Sequence, residues 1–363
     1  MMPKFIILTL FAGIVLFTGA SVFEANFKIP NPATKNISET SAPTSLNNST
    51  VGAFTNLLLD HGTNKTLRGE DNDEIHILFL GIGGEEHISG EYLTDTIILV
   101  SFVPSAKKAA VISIPRDLLV RSPRNGYFTK INALYASDQS GQGFPGPMDI
   151  EFSKEKIQEI TGLDIHYYAV LDLAGIEKIV DTLGGIYVRR DKDIVDNLFP
   201  DDNYGYETYK INEGWRYFSG KDAAKYIRTR HTAGGDFDRM KRQQEVARAI
   251  KKKAEGLKSV AGLPKLLSLY KTLKAHLATD LEMGEISRLL ELGEGLKEEG
   301  IIFEQITAEA DGLLVYDRIE LGGMPASVLK PRAGLENYSE IKMEIDSIVK
   351  KLKIENEKTR SKI

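Results

Sequence analysis

IHYYAVLDLAGIEKIVDTLGGIYV, residues 165–188, is the stretch that decides the fold. Ile165–Leu171 reads as a strand. Leu173, Ile176, Val180 and Leu183 then recur at helical spacing, and Gly184-Gly185 supplies a C-terminal cap for that helix. Ile186–Val188 returns as a strand. Working outward, three apolar runs lie upstream: Ile75–Leu80, Thr96–Phe102 and Ala109–Ile114. They show little alternation, as expected of strands covered on both faces. A helix is expected after Ser153, ending near Gly162. Strands alternating with helices predict one α/β layered domain, with a mixed central sheet flanked by helices, over residues 72–350. Downstream, GIIFEQI and SVLKP read as further strands between helices. The basic stretch 351–363 reads as a frayed or solvated tail.

Phe5–Phe23 is an uncharged, almost unbroken apolar run. As a helix it would be about 28 Å long, close to the roughly 30 Å hydrocarbon layer. Lys4 and the amino terminus keep the short end cytoplasmic, so residues 1–23 are expected to be a transmembrane signal-anchor with the body outside. A cleaved signal peptide, ending near Gly19, Ala20 and Ser21, exports the same body. Residues 24–71 are expected to form an extracytoplasmic stalk, rich at first in Ser, Thr, Asn and Pro. Leu57–Leu59 is a short apolar stretch within it.

The 363 residues carry a net charge of −5, 42% hydrophobic and 27% charged residues, and no cysteine. This excludes disulfides, thiolate metal sites and a surface built throughout for nucleic acid. P-loop, zincin and serine-hydrolase motifs are absent. The Gly81-Ile82-Gly83-Gly84 turn follows a strand, but no apolar helix opens after it, so it is not a dinucleotide loop. The acidic stretch Asp191–Asp202 lacks the order of a calcium loop and is expected to be a solvated loop. His231 is a polar strand-end histidine or a ligand contact.

Positive charge concentrates instead at residues 225–253. From Ala223 the chain reads as strand, turn, helix. A strand at 226–230 would place Tyr226, Arg228 and Arg230 on one face. A helix starting near Asp236, its N-cap, would carry Arg239 and Gln243 one turn apart, with Arg242 flanking. Clustered guanidiniums repel one another unless anions neutralise them, and the planar fork matches phosphate oxygens bidentately. A solvated basic face is the bland alternative. Ser113-Ile114-Pro115-Arg116-Asp117 puts a further arginine at the carboxyl end of a strand, where open α/β sheets bind ligands. Asp95, opening the preceding apolar run, is either a magnesium ligand beside phosphate or an ordinary turn aspartate.

These words together resemble the LytR–CpsA–Psr family, enzymes that attach phosphate-linked glycopolymers, such as teichoic acid or capsule, to bacterial cell wall. The carriers are LTDT (93–96), SIPRD (113–117), KIN (130–132), HYYAVLDLAGIEKIVDTLGG (166–185), and YIRTRH followed by GDFDRMKRQQ (226–244). The resemblance implies that Arg116, Arg228, Arg230, Arg239 and Gln243 bind the pyrophosphate of a polyprenyl-linked donor. It implies that Asp95 holds magnesium or manganese, and that Asp236 orients an arginine or takes the acceptor's proton. It also implies a hydrophobic tunnel for the lipid and a peptidoglycan hydroxyl as acceptor. Two positions depart from the family pattern: Gly83 stands where an Asp is frequent and Leu93 where an Arg is. Glu85, Glu86, His87 or Glu91 would have to compensate. A non-catalytic lipid-pyrophosphate or anionic-glycan receptor is the alternative. A membrane-tethered DNA regulator would need the opposite topology.

Overall fold

The computed structural model describes residues 65–83, 92–136, 150–200, 205–229, 235–255, 276–293, 296, 298–309 and 311–360. The expected membrane anchor and all of the expected stalk before residue 65 lie outside these residues. Among the described residues no helix is long and apolar enough to cross a membrane. The body begins before the expected boundary at 72: Leu67 is buried, and the Arg68 guanidinium lies 4.0 Å from the Tyr167 ring centre.

Three strands open the domain: β1 (Ile75–Ile82), β2 (Thr94–Val103) and β3 (Lys108–Ser113). A short hairpin, β4 (Leu119–Arg121) and β5 (Phe128–Lys130), precedes helix α1 (Ile150–Thr161). Then follow β6 (Tyr167–Asp172), α2 (Leu173–Thr182) and β7 (Ile186–Arg190). A second hairpin, β8 (Ile194–Pro200) and β9 (Tyr206–Ile211), leads into β10 (Gly214–Phe218). Helices α3 (Gly220–Arg228) and α4 (Gly235–Glu255) come next, then β11 (Leu277–Thr279), α5 (Met283–Leu292) and β12 (Ile301–Gln305). The hairpin β13 (Leu314–Leu321) and β14 (Met324–Pro331) precedes the last helix, α6 (Ser339–Arg360).

The central sheet has the order β11-β6-β1-β2-β3-β12. β6 runs parallel to β1 and β12 parallel to β3, while β1–β2, β2–β3 and β6–β11 are antiparallel. The carboxyl ends of β1, β6, β3 and β12 therefore meet at one edge, where β2 begins. The unalternating apolar runs have the expected cause. Leu78, Leu80, Leu99 and Ile112 pack beneath α1 and α6, through Ile157, Ile160, Ile341 and Ile345. Ile77, Phe79, Ile98 and Val100 pack on the other face with Leu281 and Leu289. Each such side chain contributes about 1.5–3 kcal/mol by leaving water. A third cluster joins α2, α3 and α4 to β7–β10.

The strand–helix–strand reading of 165–188 needs one change. Asp172 caps α2 by accepting from Gly175 N, and Gly184 and Gly185 take positive φ as the helix ends. β7, however, pairs with β10 and stands apart from the central sheet. Within the acidic stretch expected to be a solvated loop, Ile194–Pro200 is likewise one arm of a hairpin, with Ile194 and Phe199 buried. The basic residues after 350 continue α6 to Arg360, with Leu352 fully buried.

The expected strand at 226–230 is corrected: Tyr226, Ile227 and Arg228 close helix α3. Ser219 and Asp222 form a capping box, and Ala223, Ala224, Tyr226 and Ile227 give the helix a buried face. The Tyr-Ile-Arg-Thr-Arg alternation mimics a period of two over a span too short to reveal the helix upstream.

Candidate functional site

Three of the short sequence words fold into one knot at the sheet edge. Asp95, the second residue of β2, forms an ion pair with Arg116, which follows β3. Arg116 Nε also lies 3.7 Å from Asp117 Oδ2, and Asp117 accepts from Lys130 Nζ at 2.6 Å. The backbone N–H of Asn132 donates to the Arg116 carbonyl (3.2 Å), while Thr94 Oγ1 donates to the Asn132 carbonyl (3.3 Å). LTDT, SIPRD and KIN are thus a single hydrogen-bonded unit that fixes where Arg116 points.

The second contribution comes from α3 and α4. Arg228 is half-buried at the end of α3, its guanidinium 5.4 Å from the Phe199 ring centre. Just over one turn into α4, Arg239 is only 7% exposed and Gln243 is half-buried. The corner between the helices is held from inside. Arg242 is buried and donates to the Thr229 carbonyl, and burial holds its guanidinium below its usual basicity. Tyr226 is also fully buried, and its hydroxyl donates to Glu245, which accepts Arg190 Nη1 at 2.8 and 3.0 Å. The expected shared face of Tyr226 and Arg228 is therefore lost: two residues apart on a helix, they point to different sides.

The two halves enclose a continuous cleft. Its narrower part, about 740 Å³ including the mouth, is walled by Phe79, Ile82, Leu171, Leu173, Ile176 and Ile227, with Gly83 and Arg228 also lining it. Its wider part, about 1010 Å³ on the same measure, is lined by Arg116, Asp117, Gln305, Tyr316 and Ser327 among others. Asp95, Thr96, Arg239 and Gln243 border both parts. The expected residues Asp95, Arg116, Arg228, Arg239 and Gln243 therefore converge. Arg230, His231, Glu85, Glu86, His87 and Glu91 lie outside the described residues. Asp236 falls inside the first turn of α4, not at its cap, because the helix already includes Gly235. Gln305, Tyr316 and Ser327 escaped the sequence reading. They belong to strands whose only local signal is hydrophobic pattern.

Asp95 can offer a carboxylate to a divalent cation. Among the described residues no group of three or more His, Asp or Glu side chains surrounds it or any other point. Gly83 reaches the cleft without a carboxylate. With Asp95 as one carboxylate, a magnesium ion here would draw on water and phosphate oxygens to complete its shell.

The LytR_cpsA_psr family model matches residues 34–322. The chain belongs to the LytR_cpsA_psr family. Among family relatives, Regulatory protein MsrR of Staphylococcus aureus is 30% identical over 195 residues, 53% of this chain and 54% of MsrR. The matched stretch thus spans about half the length of that relative. Polyisoprenyl-teichoic acid–peptidoglycan teichoic acid transferase TagU of Oceanobacillus iheyensis is 29% identical over 222 residues, 61% of this chain and 63% of TagU. Among solved structures, protein gbs0355 from Streptococcus agalactiae superposes with a TM-score of 0.56 at 26% identity, covering 78% of this chain and 91% of that one. The mixed sheet flanked by helices is shared with that structure.

Proposed function

We propose that this chain is an extracytoplasmic phosphotransferase, which moves a glycan phosphate from a polyprenyl-pyrophosphate donor onto a peptidoglycan hydroxyl. The observation that carries the reading is the convergence of Arg116, Arg228 and Arg239 on a cleft whose narrower part is walled largely by apolar side chains. Cations beside a hydrocarbon wall suit a ligand with a pyrophosphate head and an isoprenoid tail. The name of the relative TagU supports a polyprenyl-linked glycan and peptidoglycan as the two substrates. The apolar run Phe5–Phe23 supports a membrane anchor that places this domain outside, beside both.

In this mechanism the guanidiniums bind the bridging and terminal oxygens of the pyrophosphate and neutralise charge as it builds on the leaving group. The acceptor hydroxyl oxygen forms a bond to the glycan-side phosphorus. The bond from that phosphorus to the bridging oxygen breaks, and the lipid leaves as its monophosphate. Asp236, one turn before Arg239, is the candidate acceptor for the hydroxyl proton. Magnesium or manganese, held by Asp95 with donor oxygens, would supply further charge neutralisation. Phosphoryl transfer depends on positioning and electrostatics more than on a special nucleophile, consistent with a site of Arg and Asp.

Turnover of a short-chain polyprenyl-pyrophosphate saccharide with magnesium and soluble peptidoglycan tests this directly. Transfer with release of polyprenyl monophosphate is the expected result. Tight donor binding without turnover would favour a non-catalytic receptor. Gly83, lining the cleft without a carboxylate, is the observation behind that second reading.

A further inference from the structure

The wall of the wider cleft holds an aromatic side chain that no step above uses. Tyr316 on β13 is 78% exposed, although it borders the same space as Arg116 and Asp95. In the β13–β14 register Tyr316 stands opposite Leu329, and Arg318 opposite Ser327. Side chains opposite one another, and those two residues along, share a face of the hairpin. Leu329 and Ser327 line the cleft with Tyr316, as does the intervening Val328, so the hairpin borders the cleft along β14.

The hairpin is anchored where it matters. Leu314 and Val328 are buried, and Leu329 N donates to the carbonyl of Asp117 at 2.9 Å, the residue next to Arg116. Lys330 pairs with Asp317 at 2.5 Å. The ring is thus presented from a scaffold tied to the Asp95–Arg116 knot, at the mouth of a compartment lined by polar and apolar side chains together. Gln305 contributes an amide and Ser327 a hydroxyl to that compartment. In the narrower compartment leucine, isoleucine and phenylalanine make up a larger share of the walls.

A flat ring with electron-rich faces suits the C–H face of a pyranose, while neighbouring amide, hydroxyl and guanidinium groups suit its equatorial hydroxyls and acetamido substituents. We infer that the wider compartment is a saccharide subsite for the acceptor glycan, with Tyr316 stacking on a sugar ring so that a nearby hydroxyl faces the Asp95–Arg116 pair. The narrower compartment then holds the donor lipid, and Asp95, Thr96, Arg239 and Gln243 mark the junction where the two substrates meet. This assignment rests on the transferase reading for which substrate the sugar belongs to. The stacking contact itself can be tested without turnover.

The test is calorimetric titration of the full chain in detergent with soluble, uncross-linked peptidoglycan glycan chains, without donor. Tyr316→Ala should weaken binding by roughly tenfold, whereas Tyr316→Phe and Tyr316→Trp, which keep a stacking face, should stay within about threefold. In turnover assays Tyr316→Ala should raise KM for the acceptor far more than it lowers kcat. Its high exposure makes misfolding an unsuitable explanation, and unchanged thermal unfolding would confirm that. Glycan binding equal in wild type and Tyr316→Ala overturns the subsite, as does no binding by the wild type. A raised KM for the donor alone overturns it too, assigning this compartment to the donor's own saccharide. Tyr316-dependent glycan binding with no donor turnover would keep the subsite and sink the transferase.

Discussion

Arg116 meets Asp95 and Asp117 at the cleft, whereas Arg242 is turned into the protein and donates to the Thr229 carbonyl. One position faces the cleft and the other the corner between α3 and α4, so their variants should separate. Arg116→Lys, Arg228→Lys and Arg239→Lys should each lower kcat/KM for the donor by roughly 10- to 150-fold, because each removes a charge-assisted fork contact worth about 1.5–3 kcal/mol. Denaturant midpoints should change little for the cleft-facing Arg116 and Arg228 variants; wild-type turnover by these two would refute a bidentate phosphate site. Arg242→Met should instead lower stability by about 1–3 kcal/mol, since it leaves a buried carbonyl without that donor. Asp95→Asn should abolish magnesium stimulation while donor binding through the arginines persists in weaker form. Calorimetry with magnesium, with and without a pyrophosphate analogue, checks the companion expectation. One carboxylate should bind the ion weakly until phosphate oxygens are present, and tight binding to the free protein would show that another carboxylate has joined it.

α3 shows how an element's start decides the placement of a cleft-lining residue at its end. The Ser219–Asp222 capping box satisfies backbone donors at the first turn, and Arg228 lies in the last. Ser219→Ala should cost about 1 kcal/mol in urea denaturation. An unchanged midpoint would show that packing of Ala223, Tyr226 and Ile227 alone specifies the helix. The Ser-Gly-Lys-Asp cap went unread because the alternation at 226–230 suggested a strand. Asp172 and the Gly184-Gly185 pair, by contrast, state the limits of α2 locally, and that helix lies where its pattern places it.

Opposite the cleft, the other edge of the sheet carries a buried histidine. His76 stacks on His166 with ring centres 5.2 Å apart, and its Nε2 lies 3.2 Å from Glu74. Burial, and then the neighbouring His166, push His76 down to about 4, against the raising effect of Glu74 and Asp164. The neutral form is therefore the one the fold favours. Its stability contribution is present above the unfolded value near 6.5 and is lost as pH falls toward 4. Between pH 7 and pH 5 this linkage amounts to about 2 kcal/mol. Urea unfolding at the two pH values should show that loss in the wild type and a much smaller one in His76→Phe. An equal loss in both would assign the acid sensitivity elsewhere.

The sequence by itself determined the chemistry and the layers. Unalternating runs such as Ile75–Leu80 require two covered faces, and a chain without cysteine whose arginines cluster at 228–242 points to an anion site made of guanidiniums. Those properties are local: they depend on residue type, periodicity and caps within a few turns. Only the tertiary structure decided which parts meet. Arg116 and Arg228 share a cleft because β1, β6, β3 and β12 all end at one edge, an outcome of strand order across the whole domain. β7 left the central sheet because β10, more than twenty residues later, offered it a partner. Tyr316 reached the site through the Leu329–Asp117 hydrogen bond, which spans more than two hundred residues and has no signature in either segment. Strand pairing satisfies backbone groups regardless of side-chain identity, so local pattern can announce a strand without naming its neighbour.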